Sequence, residues 1–232
     1  MSVAEWSHVP RRLAEVRERA AAAAARAGRD PAGVRLVAVC KTVPPDAVAA
    51  AYAAGHREFG ENRVQEALAK IDALPADVVW HLVGHLQTNK VNKALGRFEL
   101  IHSVDSERLA ERLDAKGRER EVVTQILVQV NCSGEPSKHG LEPAAAEDFV
   151  LSLAGRRGIV VRGLMTMGPL GGGEAGARDS FRLLADLHRR LRARDLPALP
   201  LDQLSMGMSG DYEVAVEEGA TLLRVGRAIF AP

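Results

Sequence analysis

A lysine directly follows the first strongly apolar run of the sequence. Lys41 comes after residues 36–40, LVAVC, and a residue in this position is expected at the end of a buried strand. Burial disfavours the charged ammonium form of a lysine, and a neutral amine can add to an aldehyde to form a Schiff base. Position alone leaves a second interpretation open, in which Lys41 extends to solvent or pairs with Glu61.

Two segments near the end of the sequence have the residues of an anion site. Ser209 and Gly210 are predicted to open a helix, and the free N–H groups and dipole of a helix N-terminus favour phosphate. Gly226, which precedes Arg227, would let the backbone approach a ligand closely. The alternative is that Ser209 only caps the helix and Gly226 only forms a turn.

Other polar residues at the ends of apolar runs have weaker assignments. Asn62 would either hydrogen-bond a ring hydroxyl or an aldehyde oxygen, or cap the following helix. His85 would contact a ligand or, as is more common for a histidine at a strand end, be structural. Asn89 and Lys90 are expected near the same opening with no assigned role, and His139 lies in a polar loop that is either a lid or an ordinary loop. Three methionines are expected to fill the interior rather than bind a ligand: Met165, Met167 and Met206.

These residues are positioned by eight apolar runs that alternate with helical stretches. Several runs are nearly continuous Val, Ile and Leu, which is typical of parallel strands covered on both faces. The pattern predicts one domain over residues 1–232, a (β/α)8 barrel of the TIM type over about 34–230, with active groups at the carboxyl ends of the strands. An open doubly wound sheet is the alternative, although no glycine-rich dinucleotide fingerprint follows the first run. The predicted strands are 34–40, 57–61, 78–84, 99–104, 123–131, 159–167, 201–207 and 221–230, with helices near 46–54, 62–73, 88–95, 106–117, 143–155, 176–194 and 210–218.

One further helix is predicted before the barrel. It covers residues 7–27, with Ser7 as the N-cap and Gly28 as the stop signal. The sequence ends at Pro232, shortly after the eighth apolar run. We therefore expect no final barrel helix, and we expect the N-terminal helix to cover the gap that this leaves.

The composition argues against several classes of protein. Lysines and arginines number 31 against 30 acids, and a net charge of +1 creates no overall field for nucleic acid or an anionic membrane. Two cysteines form neither a disulfide framework nor a zinc spacing, and we expect no metal site. No secretory signal is recognisable, and no apolar run approaches the roughly 18 residues of a membrane span. We expect a soluble cytoplasmic protein with reduced thiols.

Longer motifs around the candidate residues resemble one known family. They are AVCKTVPP (38–45), FGENRVQEA (59–67), WHLVGHLQTNK (80–90), GLMTMGP (163–169), LSMGMSGDYEVAVEEGAT (204–221) and LRVGRAIF (223–230). Over about residues 34–230 the chain resembles the YggS/PROSC family of pyridoxal phosphate homeostasis proteins. That family is similar to the N-terminal barrel of alanine racemase, and the resemblance implies that the cofactor is pyridoxal 5′-phosphate (PLP).

The resemblance also implies a role for each site residue. Lys41 would carry the Schiff base, Asn62 would lie in the cofactor pocket, and Arg224 would face the pyridine nitrogen. The phosphate would be held by three groups of the last two loops: Ser209 and the backbone of Gly226 and Arg227.

Arg224 has a consequence for reactivity. An arginine cannot supply the negative charge that keeps a pyridine nitrogen protonated, so carbanion chemistry on the cofactor should be weak. A racemase would continue into a β-domain with an opposing base, and the sequence ends at Pro232 without one. The implied function is a non-catalytic monomer that holds PLP as a reversible Schiff base in vitamin B6 homeostasis, with PLP-dependent apo-enzymes as further partners. The alternatives are a weak amino-acid racemase with Lys41 as its base and, more remotely, a cofactor-free barrel enzyme for a phosphorylated metabolite.

Overall fold

Eight parallel strands form a closed barrel in which each strand pairs with its neighbours in sequence order. The computed structural model describes residues 6–231, so residues 1–5 and Pro232 of the predicted domain lie outside the described residues. The predicted (β/α)8 barrel is confirmed, and the open-sheet alternative is wrong. The strands are β1 (Arg35–Val39), β2 (Glu58–Glu61), β3 (Val79–Leu82), β4 (Leu100–Val104), β5 (Thr124–Gln129), β6 (Ile159–Met165), β7 (Gln203–Ser205) and β8 (Leu222–Val225).

Helices follow the strands, close to the predicted positions. The stretch predicted near 88–95 is divided into a 3-10 turn, Thr88–Lys90, and a single helical turn, Val91–Ala94. A second 3-10 turn at Pro31–Gly33 precedes the first strand. The helices are α1 (Val9–Arg26), α2 (Pro45–Ala53), α3 (Val64–Ile71), α4 (Val91–Ala94), α5 (Glu107–Arg120), α6 (Pro143–Ser152), α7 (Gly173–Arg192), α8 (Tyr212–Glu217) and α9 (Arg227–Phe230).

Pairing between β8 and β1 closes the barrel. The register aligns Arg35 with Leu222 and Ala38 with Val225. Since both strands run in the same direction, their carboxyl ends emerge side by side. The closure therefore places Lys41, which follows β1, at the same edge of the barrel as the segment that follows β8.

The barrel interior contains apolar and polar side chains. The larger apolar cluster lies between the sheet and the helices. A smaller cluster inside the barrel consists of Val37, Leu100, Leu127, Met165 and Leu222. Branched apolar residues usually dominate such interiors, so the buried polar residues on the same strands need partners. They include His81, His102, Ser205 and Arg224.

The N-terminal helix α1 covers the gap beside the last strand, as expected. It packs against α2, α8 and α9 and buries an apolar face that includes Val9, Leu13 and Val16. A helix needs such a face to bind to the barrel wall. The helix that a standard repeat would place after β8 is therefore largely replaced by one from the other end of the chain.

Two details of the terminal predictions are wrong. α1 begins at Val9 with His8 as its N-cap, so Ser7 is not the cap. Pro10 occupies the first turn, where the missing N–H of proline has no cost. Gly28, with φ 66°, follows the helix as the predicted stop signal. A short helix, α9, does follow β8, although no final helix was expected.

None of the helices in residues 6–231 combines the length and apolar character that crossing a membrane requires.

Both cysteines are free thiols; Cys40 is buried and Cys132 is half-buried. Burial raises the pKa of Cys132 to about 11, so this thiol stays protonated at neutral pH.

Shortening one buried side chain of α1 tests whether this helix is part of the barrel wall. Leu13 is 1% exposed, and Leu13→Ala should lower the free energy of unfolding by about 2–4 kcal/mol through lost burial and the cavity left behind. Leu183→Ala on α7 is the control, because Leu183 is 42% exposed and its truncation should cost under about 1 kcal/mol. Urea unfolding measures both. Equal small effects would mean that α1 is not packed on the barrel.

Candidate functional site

A cavity of about 1050 Å³ opens at the carboxyl ends of the strands. The structure brings every predicted site residue to its wall. They are Lys41, Asn62, Ser209, Arg224, Gly226 and Arg227. A shared cavity is what a single bound ligand requires, while the binding role of each residue stays a prediction.

Lys41 lies just beyond β1 and borders the cavity as an exposed residue. The expectation that its side chain is desolvated is therefore wrong. Pairing with Glu61 is also wrong, because Glu61 pairs with Lys70 instead. Thr42 follows with φ 65°, a left-handed conformation that is rare for a β-branched residue. An exposed amine beside a cavity is accessible to an incoming aldehyde.

A buried ion pair supports the strand end that precedes Lys41. Lys70 on α3 is 7% exposed, and Glu61 at the end of β2 is fully buried. Besides the contact with Glu61, Lys70 Nζ donates a hydrogen bond of 2.6 Å to the carbonyl oxygen of Cys40. The Cys40 thiol in turn donates to Glu61 Oε1 at 3.2 Å. The residue before Lys41 is thus fixed by groups from β2 and α3.

Ser209 links the two loops that were predicted to hold an anion. α8 begins at Tyr212 with Asp211 as its N-cap, so the prediction that Ser209 and Gly210 open this helix is wrong. Ser209 Oγ instead accepts a hydrogen bond of 3.1 Å from the backbone N–H of Ala228. This bond joins the loop after β7 to the segment after β8, and it leaves the hydroxyl hydrogen of Ser209 to be donated.

Gly226 lies where the segment after β8 packs against β1. A Cβ atom at this position would be 2.9 Å from the carbonyl oxygen of Val39, which is too close for any other residue. Gly226 is the N-cap of α9, and Arg227 is its first residue. The N–H groups of Ala228 and Ile229 already donate to Ser209 Oγ and to the Gly226 carbonyl oxygen. The N–H groups of Gly226 and Arg227, which precede them, have no partner within the helix and can donate to a ligand.

Arg224 places a buried positive charge in the cavity wall. The residue is 5% exposed; its Nη1 donates to Ser205 Oγ at 2.6 Å and its Nη2 donates to the carbonyl oxygen of Thr166 at 2.7 Å. Burial lowers the pKa of Arg224 to about 10, so the guanidinium stays cationic at neutral pH. Both hydrogen bonds use neutral acceptors, and Asp211, which also borders the cavity, is the acidic group that acts on this charge.

Asn62 is held at the cavity by the loop after β3. The N-cap of α3 is Arg63, so the alternative in which Asn62 caps this helix is wrong. A Cβ atom at Gly84 would lie 2.3 Å from the carbonyl oxygen of Asn62, and Ser103 Oγ donates to the Gly84 carbonyl at 2.7 Å. The half-buried Asn62 therefore sits in a tightly packed strand end.

Two histidines stack on the cavity wall. The rings of His85 and His139 lie 4.5 Å apart with an interplanar angle of 15°, and Asp105 Oδ2 is 3.9 Å from His85 Nδ1. One metal ion cannot lie in both ring planes when the planes are nearly parallel and separated, so this arrangement favours a stack over a shared ion. Asn89 and Lys90 lie in the 3-10 turn after β3 and, within the described chain, do not line the cavity.

Asp211 is a cavity residue that the sequence reasoning missed. Burial raises the pKa of its carboxyl group. Oδ1 accepts a hydrogen bond of 2.5 Å from the backbone N–H of Met208, and a Cβ atom at Gly168 would lie 2.6 Å from Oδ2. An acid directly after Ser209-Gly210 is a common N-cap signal, and this signal was available in the sequence.

The fold and the arrangement of the cavity define a barrel of the alanine racemase type. The family model described as alanine racemase, N-terminal domain, matches residues 12–232. The solved alanine racemase of Corynebacterium glutamicum is similar with a TM-score of 0.69 at 15% identity, covering 93% of this chain and 60% of that one, which concerns the fold alone.

Closer relatives carry one shared name. Proteins called pyridoxal phosphate homeostasis protein are 41% identical over 220 residues in Aquifex aeolicus (94% of this chain, 96% of the relative) and 40% identical over 234 residues in Homo sapiens (94% and 84%). The structure of PipY from Synechococcus elongatus with PLP bound is similar with a TM-score of 0.83 at 41% identity, covering 96% of this chain and all of that one. The chain belongs to the pyridoxal phosphate homeostasis protein family, which confirms the resemblance seen in its motifs.

A double-mutant cycle tests the buried pair beside Lys41. Lys70→Met leaves Glu61 as a buried charge without its cation and should lower the free energy of unfolding by about 3–5 kcal/mol. Adding Glu61→Met should recover part of this loss, because no uncompensated charge remains. The pair of the half-buried Lys116 and the exposed Glu119 provides the control, where Lys116→Met should cost at most about 1 kcal/mol. If the loss of stability in the double variant equalled or exceeded the sum of the losses in Lys70→Met and Glu61→Met, the pair would not be coupled as described.

Proposed function

We propose that this protein binds PLP in the cavity, holds it as a reversible Schiff base on Lys41, and takes part in PLP homeostasis. One observation carries the proposal. The amine of Lys41, the linked loops of Ser209 and Gly226, and the buried cation of Arg224 all border one cavity. The amine can form a Schiff base with an aldehyde, the two loops can donate hydrogen bonds to a phosphate, and the cation can donate to a pyridine nitrogen. The PLP-bound structure of the related PipY supports this choice of ligand.

The phosphate is assigned to the loops after β7 and β8. Ser209 already accepts the N–H of Ala228, so its hydroxyl hydrogen can be donated to a phosphate oxygen. The backbone N–H groups at Gly226 and Arg227, at the start of α9, supply further donors. Asp211 lies in the loop after β7, where its Oδ1 accepts the backbone N–H of Met208 and the cation of Arg224 acts on its carboxyl group.

The ring nitrogen is assigned to Arg224. Because this guanidinium stays cationic, it donates hydrogen bonds and gives no support to a protonated pyridine nitrogen. PLP supplies an electron sink when bound, and the sink is strongest when that nitrogen is protonated. Arg224 therefore weakens carbanion chemistry, which favours a non-catalytic role over racemisation.

The exposure of Lys41 favours release of the cofactor. A Schiff base on an exposed amine is accessible to water and to an incoming amine, and either can displace the lysine. The chain is thus suited to accept and return PLP rather than to enclose it. The proposal includes transfer to PLP-dependent apo-enzymes by a cytoplasmic monomer.

Borohydride trapping tests the assignment of Lys41. With one equivalent of PLP, reduction should fix one cofactor on the wild-type protein, and peptide mass analysis should place it on Lys41. Lys41→Ala should lose this adduct, while Lys90→Ala should keep it, because Lys90 does not line the cavity. An unchanged adduct in Lys41→Ala, or no adduct in the wild type, would overturn the proposal.

Racemisation assays test the non-catalytic role. With PLP bound, the protein should racemise alanine and serine no faster than an equal concentration of free PLP, because Arg224 leaves the ring a weak electron sink. Chiral chromatography of the amino acids gives the rates. A rate well above that of the free cofactor, lost in Lys41→Ala, would instead assign the protein as a weak amino-acid racemase.

A further inference from the structure

A continuous row of buried polar side chains crosses the barrel interior from Arg224. Ser205 Oγ accepts from Arg224 Nη1 at 2.6 Å and lies 3.0 Å from Nδ1 of His102. Nε2 of His102 lies 3.1 Å from Nδ1 of His81. Nε2 of His81 faces Glu58 Oε2 at 3.5 Å. Ser205 and both histidines are completely buried, so their hydrogen bonds are made to other protein groups and not to bulk water.

The end groups of the row determine the direction of its hydrogen bonds. Arg224 can only donate, so Ser205 Oγ accepts from it. Burial, followed by the repulsion that a protonated His81 and the Arg224 cation exert on a second positive charge, keeps the pKa of His102 well below its ordinary value. His102 is therefore neutral, with one ring nitrogen as donor and the other as acceptor. Because a neutral histidine donates from one ring nitrogen and accepts at the other, the direction of the hydrogen bond on one side of the ring fixes the direction on the other side.

Glu58 selects one of the two directions. Burial pushes its pKa up, but hydrogen bonds from His81 and Arg35 outweigh this and hold the pKa at about 2. An ionised carboxylate repels an unprotonated nitrogen and attracts an N–H. His81 Nε2 makes no hydrogen bond within the described residues, and Glu58 Oε2 at 3.5 Å is the acceptor that it faces. When both rings carry one proton, this contact places the proton of each histidine on Nε2, and the Ser205 hydroxyl then donates to Nδ1 of His102.

We propose that Ser205, His102 and His81 form a one-directional hydrogen-bond relay that joins the cofactor-facing Arg224 to the carboxylate of Glu58. The relay would hold the Arg224 guanidinium in its position and offset part of its buried charge, since aligned hydrogen bonds polarise one another. Ser205, His102, His81 and Glu58 are positioning residues, because they act on the ligand only through Arg224. Glu58 itself borders a second cavity, away from the first.

The contribution of the relay to PLP binding rests on the proposed function. The direction of its hydrogen bonds does not depend on that function. The first experiment uses ¹⁵N NMR of the protein before PLP is added. The side-chain nitrogen shifts of His81 and His102 should show both rings neutral and protonated on Nε2 at pH 7. A proton on Nδ1 of either ring, or a doubly protonated His102, would overturn the relay whatever the protein binds.

The second experiment measures PLP affinity by titration of the cofactor's absorption. Ser205→Ala removes the first link with little change in volume and should weaken binding roughly tenfold, the effect of one hydrogen bond to a charged group. Thr124→Val is the matched control, because the Thr124 hydroxyl is buried without a hydrogen-bond partner among the described residues. Its affinity should equal that of the wild type.

Glu58→Gln tests the far end of the relay. It keeps an acceptor for His81 but removes the charge, so binding should weaken less than in Ser205→Ala and the ¹⁵N signals should show mixed histidine tautomers. Arg35→Gln is its control, since it breaks the same Arg35–Glu58 pair but leaves the carboxylate facing His81. It should alter neither the tautomers nor the affinity.

The outcomes separate the two proposals. Wild-type protein that takes up no PLP would defeat the proposed function, while the NMR result would still decide the relay. PLP bound equally by the wild type, Ser205→Ala and Glu58→Gln would overturn the relay and leave the proposed function standing. Loss of stability in Ser205→Ala with unchanged affinity would likewise reduce the row to a structural role.

Discussion

Closure of the barrel between its first and last strands is the constraint on which the site depends. The pairing of β1 with β8 brings the segment after Val39 beside the segment after Val225, although they come from opposite ends of the chain. Gly226 makes the contact close, because its missing side chain lets the backbone meet the carbonyl of Val39. Lys41 and the start of α9 thus lie at the same edge of the barrel and border one cavity.

Polar groups fix this edge of the barrel from two sides. Outside the strands, Lys70 pairs with Glu61 and binds the carbonyl of Cys40, so the strand end before Lys41 is held by a buried charge pair. Inside the barrel, Arg224 is held by Ser205 and the Thr166 carbonyl. Buried charges are costly to isolate, and each of these therefore needs its partners in place.

The fold could be predicted from the sequence because strands covered on both faces appear as continuous apolar runs. Lys41, Ser209 and Gly226 could be placed at one opening because they follow such runs. The exposure of Lys41 could not be predicted, since the end of a strand determines position and not solvent access. The start of α8 was misplaced because Ser209 and Asp211 are both good N-cap residues, and only the folded loop selects between them.

Long-range polar contacts were the part of the site that the sequence did not reveal. His81 and His102 stand out as polar residues within apolar runs, but their contact requires the register of β3 and β4 and the closed barrel. Lys70 resembles any lysine of an amphipathic helix until α3 is packed on the sheet. A single sequence shows the hydrophobic periodicity of each helix and strand. It does not show which side chains of different elements contact each other in the folded protein.

A crystal structure of the PLP-loaded protein would test the central claim most directly. It should show continuous electron density from Lys41 Nζ to the aldehyde carbon of the cofactor. The phosphate should contact the Ser209 hydroxyl and the backbone at Gly226, and Arg224 should lie within hydrogen-bonding distance of the pyridine nitrogen. A phosphate bound elsewhere in the cavity, such as beside the stacked rings of His85 and His139, would contradict the account.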